Sequence, residues 1–182
     1  MDLHQLPPSP SPGLVNLIVE IPAGSRNKYE YSAEAGVMVL DRVMHSSVRY
    51  PFDYGFIPNT LAEDGSPLDA MVIMAEPTFA GCLIKARPIG VLDLHDRDVY
   101  DGKILCVPDA DPRQDEIRSI RQIAASSWRT LRNFSGPTAR CRAASYRLMD
   151  GATSMRFSHC LIPASMQPID LREEPLDQAR CL

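Results

Sequence analysis

The sequence predicts an α+β fold that is mainly β, built as a small closed or nearly closed barrel. Three observations carry this. Short runs of β-branched and aromatic residues recur at close spacing through the first two thirds of the chain, Gly and Pro punctuate the gaps between them, and the first sustained helical pattern waits until Pro112. Many short strands separated by turn residues, with few helices, are the pattern of a sandwich or barrel. With 182 residues, 45% of them hydrophobic, the chain can bury one good core as a single domain.

Taken in order, residues 1–13 are rich in Pro and Ser. They carry neither a basic n-region nor an apolar h-region, so they are expected to form a disordered leader rather than a signal peptide. Residues 14–21 are β-rich and closed by Pro22. Residues 27–31 alternate in the strand manner, 33–36 make a hairpin connection, and 37–43 form the third strand. The stretch from Tyr50 to Asp69 follows, and further strands are expected over 70–75, 82–94 and 103–107. One helix is expected from near Pro112 to about Ile123. Residues 124–182 contain no Val and no Lys, and their Ser, Arg and Pro interrupt helical periodicity. They are expected to be disordered or loosely packed.

The charge of −4 and pI near 5.5 argue against a general nucleic-acid or membrane surface. No apolar run approaches the ~20 residues that span a bilayer. Cys82, Cys106, Cys141, Cys160 and Cys181 are scattered, with no C-x-x-C pair. They read as reduced thiols of a cytosolic protein rather than a disulfide or zinc framework.

The chemistry concentrates between Tyr50 and Asp69. Asp64 and Asp69 flank a Gly-Ser-Pro turn, and carboxylates converging from a rigid bend repel unless a positive charge sits between them; a hard divalent cation is the usual solution. A second acidic loop, from Asp93 through Asp96 and Asp101, ends on Lys103. Glu20, Lys28, Glu30 and Arg42 lie on three neighbouring strands, where a barrel could aim them at one mouth. Singly, each such residue reads as part of a solvated face. Two acidic turns combined with isolated bases in apolar sequence read as a metal and phosphate site.

The set Val19-Glu-Ile-Pro22, Asn27-Lys-Tyr-Glu30, Leu40-Asp-Arg42, Tyr50-Pro-x-x-Tyr-Gly-Phe-Ile57, Asp64-Gly-x-Pro-Leu-Asp69, Arg87-Pro-Ile-Gly-Val91 and Asp96 through Lys103 closely resembles the family I soluble inorganic pyrophosphatases. The motifs stand in family order at family spacing over roughly residues 14–122. The resemblance implies a five-stranded OB-type barrel with flanking helices, and magnesium-dependent hydrolysis of inorganic diphosphate in the cytoplasm. It implies several Mg²⁺ ions, held by Asp64, Asp69 and Asp101, with Asp96 and Glu30 serving those that arrive with substrate. Lys28, Arg42, Tyr54 and Lys103 become the phosphate clamp, with Arg42 and Tyr54 also catalytic. Glu20 and Tyr50 become supporting members. A homo-oligomer is implied, and no nucleic-acid or membrane partner.

Two departures stand out. The family loop reads Asp-Gly-Asp-Pro-x-Asp, and its middle carboxylate helps deprotonate the attacking water; here that position is Ser66. A hydroxyl cannot accept a proton at neutral pH, so a catalytically impaired relative is the alternative function. The second departure is the tail, which lacks the family's amphipathic Phe-Phe-x-x-Tyr-Lys-x-Leu-Glu helix and its last Gly-Trp segment, leaving the C-terminal helical cover missing or degenerate. Taking the last base of each codon with the first two of the next, synonymous codons over residues 127–138 permit Leu-Glu-Asp-Ile-Ala-Glu-Phe-Phe-Arg-x-Tyr. The same offset over residues 148–156 permits Asp-Gly-Trp-x-Asp-x-x-Ala. The Trp128 codon restricts its shifted position to Glu or Ala, and the first Gly is forced by Met149. The residues after about Ala125 are therefore read as an out-of-frame product of the gene, and the coding DNA decides the matter.

Overall fold

The computed structural model describes residues 2–45, 47–62, 64–96, 99–135, 140–143 and 169–170. Its elements are β1 (Val15–Ile21), β2 (Asn27–Ser32), β3 (Val37–Val43), β4 (Asp53–Ile57), β5 (Leu68–Val72), β6 (Leu83–Asp93), β7 (His95–Asp96), β8 (Val99–Tyr100), β9 (Lys103–Pro108), α1 (Ala125–Ser135), β10 (Arg140–Ala143) and β11 (Ile169–Asp170). Strands β1, β4, β5, β9 and β6 pair in that order, and β6 closes back onto β1. The pairings are antiparallel except β5 on β9. The result is the closed five-stranded barrel with one flanking helix that the sequence predicts. Strands β2 and β3 form a separate hairpin, and β10 extends β6 outside the barrel.

Side-chain alternation sorts the core into two sides of the barrel wall. Val15, Leu17, Val19, Ile57, Ala70, Val72, Ile84, Ala86, Ile104 and Cys106 come from all five strands and fill the lumen. Met71, Ile89, Leu92, Leu105 and Val107 lie on the outer side, where they meet Ile120, Ile123 and Leu131. Gly55 shows how tightly the wall is built: a Cβ there would lie 1.8 Å from the Ile18 carbonyl oxygen of β1. Only glycine lets the two backbones approach so closely.

Three expectations need correction. The expected disordered leader, residues 1–13, is ordered over its described residues. A short 3₁₀ turn, Leu3–Gln5, sits against Ile18, Tyr31 and Phe56 through Leu3 and Leu6. The Leu3 N–H donates to the Tyr31 hydroxyl at 3.1 Å, Asn16 Nδ2 donates to the Pro7 carbonyl at 2.8 Å, and the Asn59 N–H donates to the His4 carbonyl at 2.8 Å. Composition could not reveal these partners, because they come from distant strands and turns.

The helix expected from Pro112 to Ile123 is instead two 3₁₀ turns, Pro112–Gln114 and Ile120–Gln122. Arg87 explains the break: its Nη1 donates to the carbonyls of Gln114 at 3.1 Å and Ile117 at 3.0 Å. The Ile117 carbonyl is thereby committed to a side chain, and the Gln114 carbonyl is shared between Arg87 and the Ile117 N–H at 3.0 Å, a single tight turn rather than a continued α-helical ladder.

The helix lies further on, at Ala125–Ser135, within the stretch expected to lack order. Its apolar residues Trp128, Leu131 and Phe134 recur at intervals of three, a narrow stripe that packs on the outer core. Leu131 is fully buried. The rest of the tail expectation falls on 136–139, 144–168 and 171–182, outside the described residues. Leu131→Ala should cost about 3 kcal/mol, a fall in melting temperature on the order of 10 °C for a chain of this size. Thermal denaturation followed by circular dichroism checks it, and an unchanged midpoint would mean the helix adds nothing to the fold.

Candidate active site

Lys103 opens β9 and has the same parity as Leu105 and Val107, so its side chain emerges on the outer side of the wall. Asp69 on β5 shares a face with Met71, and Tyr54 on β4 pairs with Met71 across the sheet. The site is therefore mounted on the outer face of β4, β5 and β9, next to α1, and not at the barrel mouth that the sequence suggested.

Lys103 is buried, and its ammonium lies 2.5 Å from Asp69 Oδ2 and in direct contact with Asp101 Oδ1. Burial alone would lower its pKa, but the charges of Asp69 and Asp101 and its bonds to them hold it above the usual lysine range. The Tyr54 phenol lies beside Asp69, and its ring centroid is 5.7 Å from the Lys103 ammonium. Burial, then the Asp69 charge, drive the Tyr54 phenol far above its ordinary pKa. It is a neutral donor under any physiological condition. The Tyr50 ring packs against Tyr54 at a tilt of 59°, with centroids 5.3 Å apart, and the Phe134 ring from α1 lies 5.7 Å from Tyr50.

The hairpin carries the second half. Lys28 contacts Glu30 directly and lies 3.6 Å from Asp41 Oδ2. Burial opposes its charge, yet Glu30 and Asp41 outweigh that and hold it above its ordinary pKa. Arg42 reaches the same carboxylate of Asp41 at 3.4 Å, with 69% of its side chain exposed. Glu20 links the halves. It accepts the Tyr31 N–H at 2.8 Å and lies within reach of the charges of Asp69, Glu30 and Lys28.

Burial pushes the Glu20 carboxyl up to about 7 from an ordinary 4.5. The folded protein then holds a proton that the unfolded chain has shed, so stability from this group is full below the unfolded value and is lost as pH rises toward 7. Glu20→Gln should remove that loss. Melting curves of the two proteins in metal-free buffer, from about pH 4.5 to about pH 7, should converge at the acid end and separate in favour of the variant near neutrality. Parallel curves would refute it.

Asp64 and Ser66 occupy an exposed turn with Gly65 at φ +87°. The Ser66 N–H and hydroxyl both donate to Asp64 Oδ1, at 2.9 and 2.7 Å. These bonds, side chain first, hold the Asp64 carboxyl below its usual range, with a further contribution from Lys103. The side chain of Asp96 lies outside the described residues.

Among the described residues, no three His, Cys, Asp or Glu side chains converge as a ready-made ligand set. Asp69 and Asp101 do converge on one compact positive charge. That fits a hard cation taking one or two carboxylates and completing its shell with water. Sequence reasoning brought together Asp69, Asp101, Lys103, Tyr54 and Tyr50, and also Lys28, Glu30 and Arg42. It gave no role to Asp41, which stood inside a quoted motif, nor to Asp53 or Phe134, for which nothing in the pattern signalled a contact.

The comparisons with known proteins point the same way. The inorganic pyrophosphatase family model matches residues 17–166, a span that runs past the last motif and well into the tail. An inorganic pyrophosphatase from a Synechocystis species is 58% identical over 74% of this chain and 79% of its own length. One from a Nostoc species is 55% identical over 68% of this chain and 73% of its own. The crystal structure of inorganic pyrophosphatase from Thermus thermophilus superposes with a TM-score of 0.70 at 34% identity, over 80% of this chain and 88% of that one. Fold, motif order and matched span agree, and the chain belongs to the inorganic pyrophosphatase family.

Proposed function

We propose that this chain hydrolyses inorganic diphosphate to two phosphates in a Mg²⁺-dependent reaction. The observation that carries this is the buried Lys103 ammonium, set between Asp69 and Asp101 and beside the Tyr54 phenol. Cations, carboxylates and a neutral donor on one face are what a highly charged phosphoanhydride and its counterions require. Magnesium ions, held by Asp64, Asp69 and Asp101 with Asp96 and Glu30 for those accompanying substrate, would supply an acidified water and neutralise phosphoryl charge. The remaining work belongs to side chains. Lys28, Lys103 and Arg42 bind phosphoryl oxygens as charge spreads onto them, and Tyr54 donates a hydrogen bond without ionising. Glu20 and Tyr50 hold these groups in register.

A second reading, a catalytically impaired relative that binds cation and diphosphate without efficient turnover, is favoured by Ser66. Its hydroxyl is spent as a donor to Asp64, and it offers no basic oxygen for the attacking water. Phosphate release from diphosphate as a function of Mg²⁺, with calorimetric diphosphate binding alongside, separates the two. Turnover supports hydrolysis, binding alone supports the impaired relative, and neither would reject both.

The substrate, the absence of a nucleic-acid partner from an acidic chain, a cytoplasmic location and a homo-oligomeric state belong to the same proposal. Among the described residues no helix is long and apolar enough to cross a membrane. The out-of-frame origin of residues after about Ala125 is likewise proposed. The stripe of Trp128, Leu131 and Phe134 packs on the outer core and supplies a helical cover there.

A further inference from the structure

Asp53 heads β4, one residue before Tyr54, and is 0% exposed. Its Oδ1 accepts the Ala23 N–H at 2.8 Å; its Oδ2 accepts the Thr78 N–H at 2.8 Å and the Thr78 hydroxyl at 2.5 Å. All three donors are neutral groups, and they come from two turns far apart in sequence. Burying a carboxylate this way is costly unless each oxygen is satisfied. An amide in its place would present one oxygen and one NH₂, and the NH₂ would face a backbone N–H that cannot accept. The site therefore requires a carboxylate, although the chemistry proposed above makes no use of it.

We infer that Asp53 is a positioning residue, which fixes the hairpin bearing Lys28 and Glu30 against the wall bearing Tyr54, Asp69 and Lys103. The Ala23 turn is the only covalent path between Glu20 at the end of β1 and Lys28 at the start of β2. Asp53 ties it at Ala23, and neighbouring bonds continue the seam. The Gly24 N–H donates to the Tyr50 carbonyl at 2.8 Å, the Tyr50 N–H to the Ser25 carbonyl at 3.1 Å, and Arg49 Nη1 to the Gly24 carbonyl at 2.8 Å. Through Thr78, Asp53 also holds the turn whose Gly81 N–H donates to the Val19 carbonyl of β1 at 2.7 Å. One buried side chain thus sets the gap across which Lys28 and Lys103 must grip the same ligand. The inference rests on the site reading proposed above.

The test compares wild type with Asp53→Asn at a temperature well below both melting transitions. It measures steady-state kinetics on Mg²⁺–diphosphate and calorimetric binding of methylenediphosphonate with Mg²⁺. A misplaced clamp should weaken phosphonate affinity and raise KM about tenfold, with kcat changed less than about threefold. A folded Asp53→Asn with a lowered melting temperature but unchanged affinity and KM would overturn the inference, since that is the signature of a purely structural bond. If that variant does not fold, Thr78→Val decides, with weaker phosphonate binding supporting the inference and unchanged binding overturning it. If wild type binds phosphonate without turnover, the affinity arm alone decides. If wild type neither binds nor hydrolyses, the site reading itself fails and the inference falls with it.

Discussion

Ser66→Asp should raise magnesium-dependent release of phosphate from diphosphate by about 100- to 10,000-fold, the range that a positioned general base contributes. The geometry favours a direct exchange. Gly65 already provides the left-handed backbone that the turn needs, at φ +87°, and Ser66 is exposed, so a carboxylate meets no steric obstacle. What changes is electrostatic. The Ser66 hydroxyl now donates to Asp64 Oδ1, and a carboxylate there would repel Asp64 instead. The variant should therefore be slightly less stable than wild type in metal-free, low-salt buffer, by less than about 1 kcal/mol because the pair is solvent-exposed. Added Mg²⁺ should reverse that difference. A folded Ser66→Asp protein with no gain in turnover would show that the defect lies elsewhere in the site, and the missing base would cease to explain it.

The barrel was legible because its signal is local. Short apolar runs along β1 and β9 and the alternation that opens β6 specify buried strands, and closely spaced Gly and Pro leave room only for short connections. Strand β4 was harder to see. Asp53-Tyr-Gly-Phe-Ile57 sits in a run that looks like turn and aromatic material, and its role depends on Gly55 allowing β1 within van der Waals reach. The misplaced helix and the supposed disordered leader share one cause. Each was decided by a distant partner: Arg87 for the carbonyls of Gln114 and Ile117, and Tyr31, Asn16 and Asn59 for the leader. Tertiary hydrogen bonds override local propensity, and a single sequence carries no trace of them.

The site divides along the same line. Asp64, Asp69 and Asp101 stand out in sequence because two acidic turns recur beside isolated bases in otherwise apolar sequence. Lys103 stands out because a lone base leads an otherwise apolar strand. Asp53 is invisible by the same logic: flanked by Phe52 and Tyr54, it resembles an ordinary strand-edge residue until its three donors are located. The outer-face location was also hidden, since parity along β9 distinguishes two sides but does not say which one is the lumen. That required all five strands at once.

Lys103→Met should abolish most turnover, by about 100- to 1,000-fold, through loss of a preorganised cation at the phosphoryl group. Its effect on stability is the sharper test. Met keeps the length and apolar stem of the side chain but removes the charge that Asp69 and Asp101 share. Truncating one partner of a fully buried ion pair costs about 3–5 kcal/mol. The two carboxylates here are partly solvated, with side-chain exposures of 28% and 38%, so the cost should be nearer about 2 kcal/mol. Two facing carboxylates with no base between them then become a stronger site for a divalent ion. Added Mg²⁺ should therefore raise the melting temperature of Lys103→Met more than that of wild type, even as turnover stays low. Calorimetric Mg²⁺ binding without substrate should be tighter in the variant for the same reason. Equal Mg²⁺ stabilisation of the two proteins would mean that Asp69 and Asp101 do not act on a common cation, and the metal assignment built on them would fail.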